Sequence, residues 1–170
     1  MINTPRKATT GRNMTGVLAD SLIVAMGADN TSNEESPADA TYSNLNLIQP
    51  VFPPGLDVAT SRLLLLASVE VEKIMNAEPT SGRGDFVIAL NDDSVQPTDI
   101  VATISADLPI AANGDPQERT AWTSYLSVPG DPRVVSGMFV STWCNNPNSV
   151  NPPAIFRRGR LWWFLLAPNP

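Results

Sequence analysis

Histidine is absent from the 170 residues, and cysteine occurs once, at Cys144. The first absence removes Ser-His-Asp triads, imidazole metal sites and histidine general bases. The second removes intrachain disulfides, thiolate zinc clusters and iron–sulfur sites. Charge is scarce: charged residues make up 16% of the chain, against about 25% in an ordinary soluble domain. Long apolar runs are lacking as well. The longest, Leu63–Ala67 and Leu161–Ala167, fall far short of the ~20 residues of a membrane helix. The polar N-terminus leads into no signal-peptide core. The expectation is a chain with no membrane contact.

What fills the sequence instead is apolar and uncharged polar. Hydrophobic residues make up 42%, the net charge is -6, and there are 16 prolines, where about nine is usual for this length. The length suits one domain with a sizeable core. An exposed surface in solution normally carries more charge, so a chain with this little either has few neighbours or has many and hides its surface against them.

The pattern along the chain is all-β. Residues 1–14 read as a mobile arm carrying Arg6, Lys7 and Arg12, and residues 15–170 as the folded domain. A first strand is expected over Gly16–Gly27, followed by a polar, acidic loop from Asp29 to Tyr42. Pro50, Pro53 and Pro54 impose an extended, non-helical path. Asp57–Ala67 reads as one helical turn and then a strand. Val69 and Val71 alternate with Glu70 and Glu72, which implies one exposed face. Asp85–Asn91 is apolar enough for a strand buried on both sides. Thr98–Ala112 fits either a short helix or a strand. Glu118–Val128, Arg133–Cys144 and Gly159–Ala167 are further strands, with Pro129-Gly130-Asp131-Pro132 as a turn. Seven or eight strands between Pro, Gly and Asn loops indicate an antiparallel sandwich or barrel.

Few motifs carry chemistry. Arg83-Gly84-Asp85 is an adhesion-type triplet, but it runs directly into an apolar strand. Asp92, Asp93 and Asp99 are oxygen donors suited to a hard cation, and need ligands from a second segment to complete it. Trp162 and Trp163 are neighbours on a strand and point to opposite faces, one to the core and one outward or to an interface. Arg157, Arg158 and Arg160 are the densest basic cluster, short of a nucleic-acid arm. Phosphate-cradling glycine motifs are absent, and no carboxylate pair recommends a reaction, so the expectation is not an enzyme.

The order of segments from about Pro50 to Pro168 resembles the shell domain of small icosahedral positive-strand RNA virus coat proteins, of the tombusvirus and sobemovirus type. Ser61-Arg62 leads into ASVEVEKIMNAEPTSGRGDFVIALNDDSVQPTD. There Gly84, Phe86, Ala89, Asp93, Pro97, Thr98 and Asp99 fall on positions similar to the family's acid-ended strand. Gly159-Arg160-Leu161-Trp162-Trp163-Phe164 is similar to its closing aromatic strand. The resemblance implies a single eight-stranded antiparallel jelly-roll sandwich with short helical turns in the connections. It also implies a capsid protein that self-assembles into an icosahedral homo-oligomer, found in the virion and assembled in the host cytoplasm. Weak RNA contact would fall to Arg6, Lys7 and Arg12, and subunit contact to Trp162 and Trp163. No cofactor is required by this reading; Ca2+ at subunit interfaces would use Asp92, Asp93 and Asp99. The sequence departs from the family at Asn91 and Gln96, where acids are usual, and in its meagre basic arm. The rival reading is a cellular β-sandwich carbohydrate-binding module, with an exposed tryptophan as its sugar platform.

Overall fold

The computed structural model describes residues 21–32, 34–35, 37, 41–73, 82–90, 96–108, 117–146 and 154–169. They form nine strands: β1 (Ser21–Asn30), β2 (Glu34–Glu35), β3 (Tyr42–Ile48), β4 (Arg62–Lys73), β5 (Gly82–Leu90), β6 (Ile100–Leu108), β7 (Gln117–Leu126), β8 (Val140–Asn145) and β9 (Ile155–Pro168). All pairings are antiparallel. The first sheet runs β1-β9-β4-β7, with β2 also on β9; the second runs β3-β8-β5-β6.

Period-2 patterning decides which side chains meet between the sheets. On β4, Leu63, Leu65, Ala67, Val69 and Val71 are fully buried and face Phe86, Ile88 and Leu90 of β5 and Val140 and Cys144 of β8 across one core. From β9 come Phe156, Leu161, Trp163 and Leu165. β5 is buried on its other face too, where Val87 and Ala89 pack with Trp143 and Tyr42. That agrees with the dense apolar run expected there.

A change of parity in β9 shapes the first sheet. Ser68 pairs with Arg160, but two residues on, Glu70 pairs with Arg157. β9 therefore carries one extra residue, a β-bulge. Arg158 within it has φ 51°, a left-handed conformation that costs a non-glycine residue about 1 kcal/mol or more. Because of the bulge, Phe156 and Leu161 both point inward although their numbers differ in parity. Arg157 and Arg160 both pair with residues of the outward row of β4.

The bulge is held from the second sheet. Asn46 of β3 is buried, and its Nδ2 donates to Gly159 O (3.3 Å) and to Asp29 Oδ2 (3.0 Å). Its Oδ1 accepts from Thr142 Oγ1 at 2.8 Å. Thr31 N also donates to Gly159 O. A Cβ on residue 159 would lie 2.6 Å from Asn46 Oδ1 and 3.2 Å from Leu45 Cβ, so glycine is needed for this approach. Asn146 makes a similar tie farther along, donating to Pro37 O and Ala154 O and accepting from Ala154 N.

Several expectations change. Among the described residues there is no helix. At the expected helical turn, the Asp57 side chain accepts from Ala59 N, and its carbonyl accepts from Thr60 N and Ser61 N. The chain then enters β4 at Arg62, because the leucines that follow are buried in a ladder with partners on both sides. The ambiguous Thr98–Ala112 stretch contains strand β6. The strands number nine, because the acidic loop contributes β2, whose Glu34 pairs with Arg157. β3 lies in the segment read only as extended. The strand expected from Arg133 starts at Val140, because tight turns occupy the residues before it. The arm at residues 1–14 lies outside the described residues.

The clamp at Asn46 sets the first prediction. Asn46→Ala strands the Thr142 hydroxyl and removes two donated bonds, lowering stability by about 2–3 kcal/mol. Gly159→Ala costs about 1–3 kcal/mol by overpacking. The double variant loses less than the sum, because the Oδ1 that meets the new methyl is gone. Urea unfolding of the three variants checks this.

Candidate functional site

On the first sheet the even-numbered residues of β4 and β7, those of β1 from Met26 and those of β9 from Arg160 to Phe164 face away from the core. Registers place them in rows. Met26, Phe164, Leu64 and Leu126 form one row; Ala28, Trp162, Leu66 and Ser124 the next; Asn30, Arg160, Ser68 and Trp122 the third. Trp122 and Trp162 meet diagonally across β4, with ring centroids 5.8 Å apart and planes within 4°. Ser68, small and directly opposite Trp122, is buried although it is on the outer row. Trp122 itself remains 55% exposed.

The adjacent tryptophans divide as the alternation implies. Trp163 is in the core, and Trp162 is the one that stands on the outer face. The basic cluster is likewise divided. Arg157 Nε donates to Glu34 Oε2 at 2.8 Å, and its Nη1 pairs with Glu72. Arg158 Nη1 donates to Glu70 Oε2 at 2.9 Å. Glu72, expected on an exposed face, is buried and pairs with Arg157 of β9. Arg160 is exposed and forms no ion pair among the described residues. A shallow cavity of about 630 Å³ beside it is lined by Asn30, Thr31, Ser32, Arg158, Arg160 and Trp162.

A second polar cluster lies where the turn after β7 meets the start of β6. Arg133 Nε and Nη2 donate to the two oxygens of Asp131 at 3.0 and 2.8 Å. Its Nη1 donates to Asp99 Oδ1 at 3.0 Å, and Nη2 reaches Tyr125 Oη at 2.7 Å. Tyr125 Oη donates to Asp131 Oδ2 at 2.8 Å, and the guanidinium lies 5.7 Å from the Tyr125 ring centre. The hydrogen bonds from Arg133 hold the Asp131 carboxyl well below the usual carboxylate range. Burial, then the bond to Asp131, pushes the Tyr125 phenol up to about 12. Sequence reasoning read Asp131 only as a turn residue. The aspartate two residues before an arginine was the available signal.

Asp99, one of the three candidate cation ligands, accepts from Arg133 in this cluster. Asp92 and Asp93 lie outside the described residues, as do Arg6, Lys7 and Arg12. Among the described residues no three acidic or thiol groups gather to hold a metal. Arg83-Gly84-Asp85 lies inside β5, paired with β6 rather than at a loop tip. Asp85 accepts from Ser105 Oγ, and Phe156 Cζ would be 2.5 Å from a Cβ on Gly84. Burial, reinforced by Glu35, raises the Cys144 thiol and keeps it protonated, which is unfavourable for a nucleophile. No family model matches the chain, and no curated protein matches it.

The depressed Asp131 sets the second prediction. Its stabilisation is complete above the unfolded aspartate value of about 4 and is lost as pH falls toward its lower folded value. Asp131→Asn removes about 2–3 kcal/mol at neutral pH, and its stability falls less between pH 5 and the acid range than that of the parent. Chemical denaturation across that pH range measures both effects.

Proposed function

We propose that the chain is a viral coat subunit, a single jelly-roll domain that assembles with its own copies into an icosahedral shell around RNA in the host cytoplasm. The strand order carries this reading. With the two-residue β2 set aside, the first strand lies beside the last, the last beside the third, and the third beside the sixth. In the other sheet the second lies beside the seventh, the seventh beside the fourth, and the fourth beside the fifth. This order supports a jelly-roll winding, the double-sheet arrangement of many capsid and lectin domains.

The mechanism is geometric. A rigid domain offers sides that neighbours cover, and symmetry closes the repeated contacts. Two adjoining loops supply one such side. Gln49 Nε2 donates to Gly137 O, and Gly130 lies against the Ala59 carbonyl. These loops expose Val51, Val128 and Val135. Exposed apolar side chains ringed by polar residues mark interaction surfaces. Arg6, Lys7 and Arg12 would add weak phosphate contact. The stacked tryptophans favour the rival carbohydrate-binding reading, which requires no shell.

Size exclusion with negative-stain microscopy tests the proposal. Closed particles of uniform diameter are expected, and a monomer at every salt and pH overturns it. Joint Val51→Asp and Val128→Asp substitutions keep the circular dichroism of the parent. They reduce particle yield about tenfold or more, because each contact then encloses unpaired charge.

A further inference from the structure

We infer that the outer face of the first sheet binds single-stranded nucleic acid, with a base stacked on Trp122 and a phosphate held by Arg160. Three observations converge. Trp122 and Trp162 form a parallel stack that leaves Trp122 more than half exposed. A base extends such a stack, since every base has a π-face and aromatic platforms are sequence-tolerant. Arg160 shares the row of Trp122 with only Ser68 between them. Two strand spacings separate them by roughly 10 Å, within the span of a dinucleotide. Finally, of the three arginines in the run, Arg157 and Arg158 spend their charge on Glu34, Glu72 and Glu70. Arg160 has no ion pair among the described residues and stands beside a cavity bordered by the exposed Asn30 and Ser32.

The chemistry favours a nucleic acid over a neutral sugar. A sugar would use the stack and the polar donors but leave the cation without a counter-charge. A phosphodiester next to an unstacked base uses both. The strand must be single, because paired bases do not present their faces. With the chain at net charge -6, the contact is weak and salt-sensitive. The inference rests on the coat reading only in taking the bound strand for the packaged genome.

Fluorescence anisotropy of a labelled oligouridylate with the full chain at low salt tests it. Trp122→Ala is expected to weaken binding about tenfold, while Trp122→Phe retains most of it. Arg160→Glu weakens binding about tenfold or more and flattens the salt dependence. Arg119→Glu makes the same charge change at an exposed position elsewhere on β7 and leaves binding within about twofold, as a contact specific to Arg160 requires. The site is overturned if the parent does not bind, if Arg119→Glu is as harmful as Arg160→Glu, or if a neutral oligosaccharide displaces the RNA. Particles that package RNA equally with and without Trp122→Ala and Arg160→Glu also overturn the site, and leave the coat reading standing. Binding that depends on both residues in a protein that never forms particles supports the site and overturns the coat reading.

Discussion

One extra residue in β9 governs the first sheet. β9 lies between β1 and β4 and also receives β2, so its parity is read by every neighbour. Without the bulge, Phe156 and Trp162 would share a face, and either Phe156 would leave the core or Trp162 would replace Trp163 in it. With the bulge, Phe156 and Trp163 are both in the core, while Arg157, Arg160 and Trp162 belong to the outer face. The backbone cost at Arg158 is offset by carbonyl partners at Gly159, two donors converging on one oxygen. One of them is a buried asparagine from the opposite sheet, so the bulge also joins the two layers.

Among the described residues three arginines are held in ion pairs. Arg133 is shared by Asp131 and Asp99, Arg157 by Glu34 and Glu72, and Arg158 goes to Glu70. Arg160 has no ion pair among the described residues and stands next to the stacked indoles. Val51, Val128 and Val135 are exposed on loop surfaces. The lone thiol is buried, and the sequence has no imidazole.

Legibility from sequence followed the range of the interactions. β5 was readable because its five consecutive buried residues depend on apolar content alone. The split of Trp162 and Trp163 was readable because a strand must alternate. The turn at Pro129-Gly130-Asp131-Pro132 was readable because Gly130 takes a positive φ of 67° and proline flanks it. β2 was not, because two glutamates in an acidic loop form a strand only against the distant Arg157. β3 was obscured by asparagines, of which Asn46 is buried solely because Gly159, Asp29 and Thr142 surround it. Glu72 looked solvent-facing for the same reason: its partner is over eighty residues away in the chain.

The sequence by itself determined the β character, the core faces of β4 and β5 and the exclusion of histidine- and disulfide-based chemistry. These follow from composition and from a two-residue period, both local. Only the tertiary structure decided the sheet order, the position of the bulge, the pairing of Asp99 with Arg133, and the meeting of Trp122 with Trp162. Each depends on register between strands far apart in the chain. A shift of one residue there moves a side chain to the opposite face while leaving the local pattern unchanged.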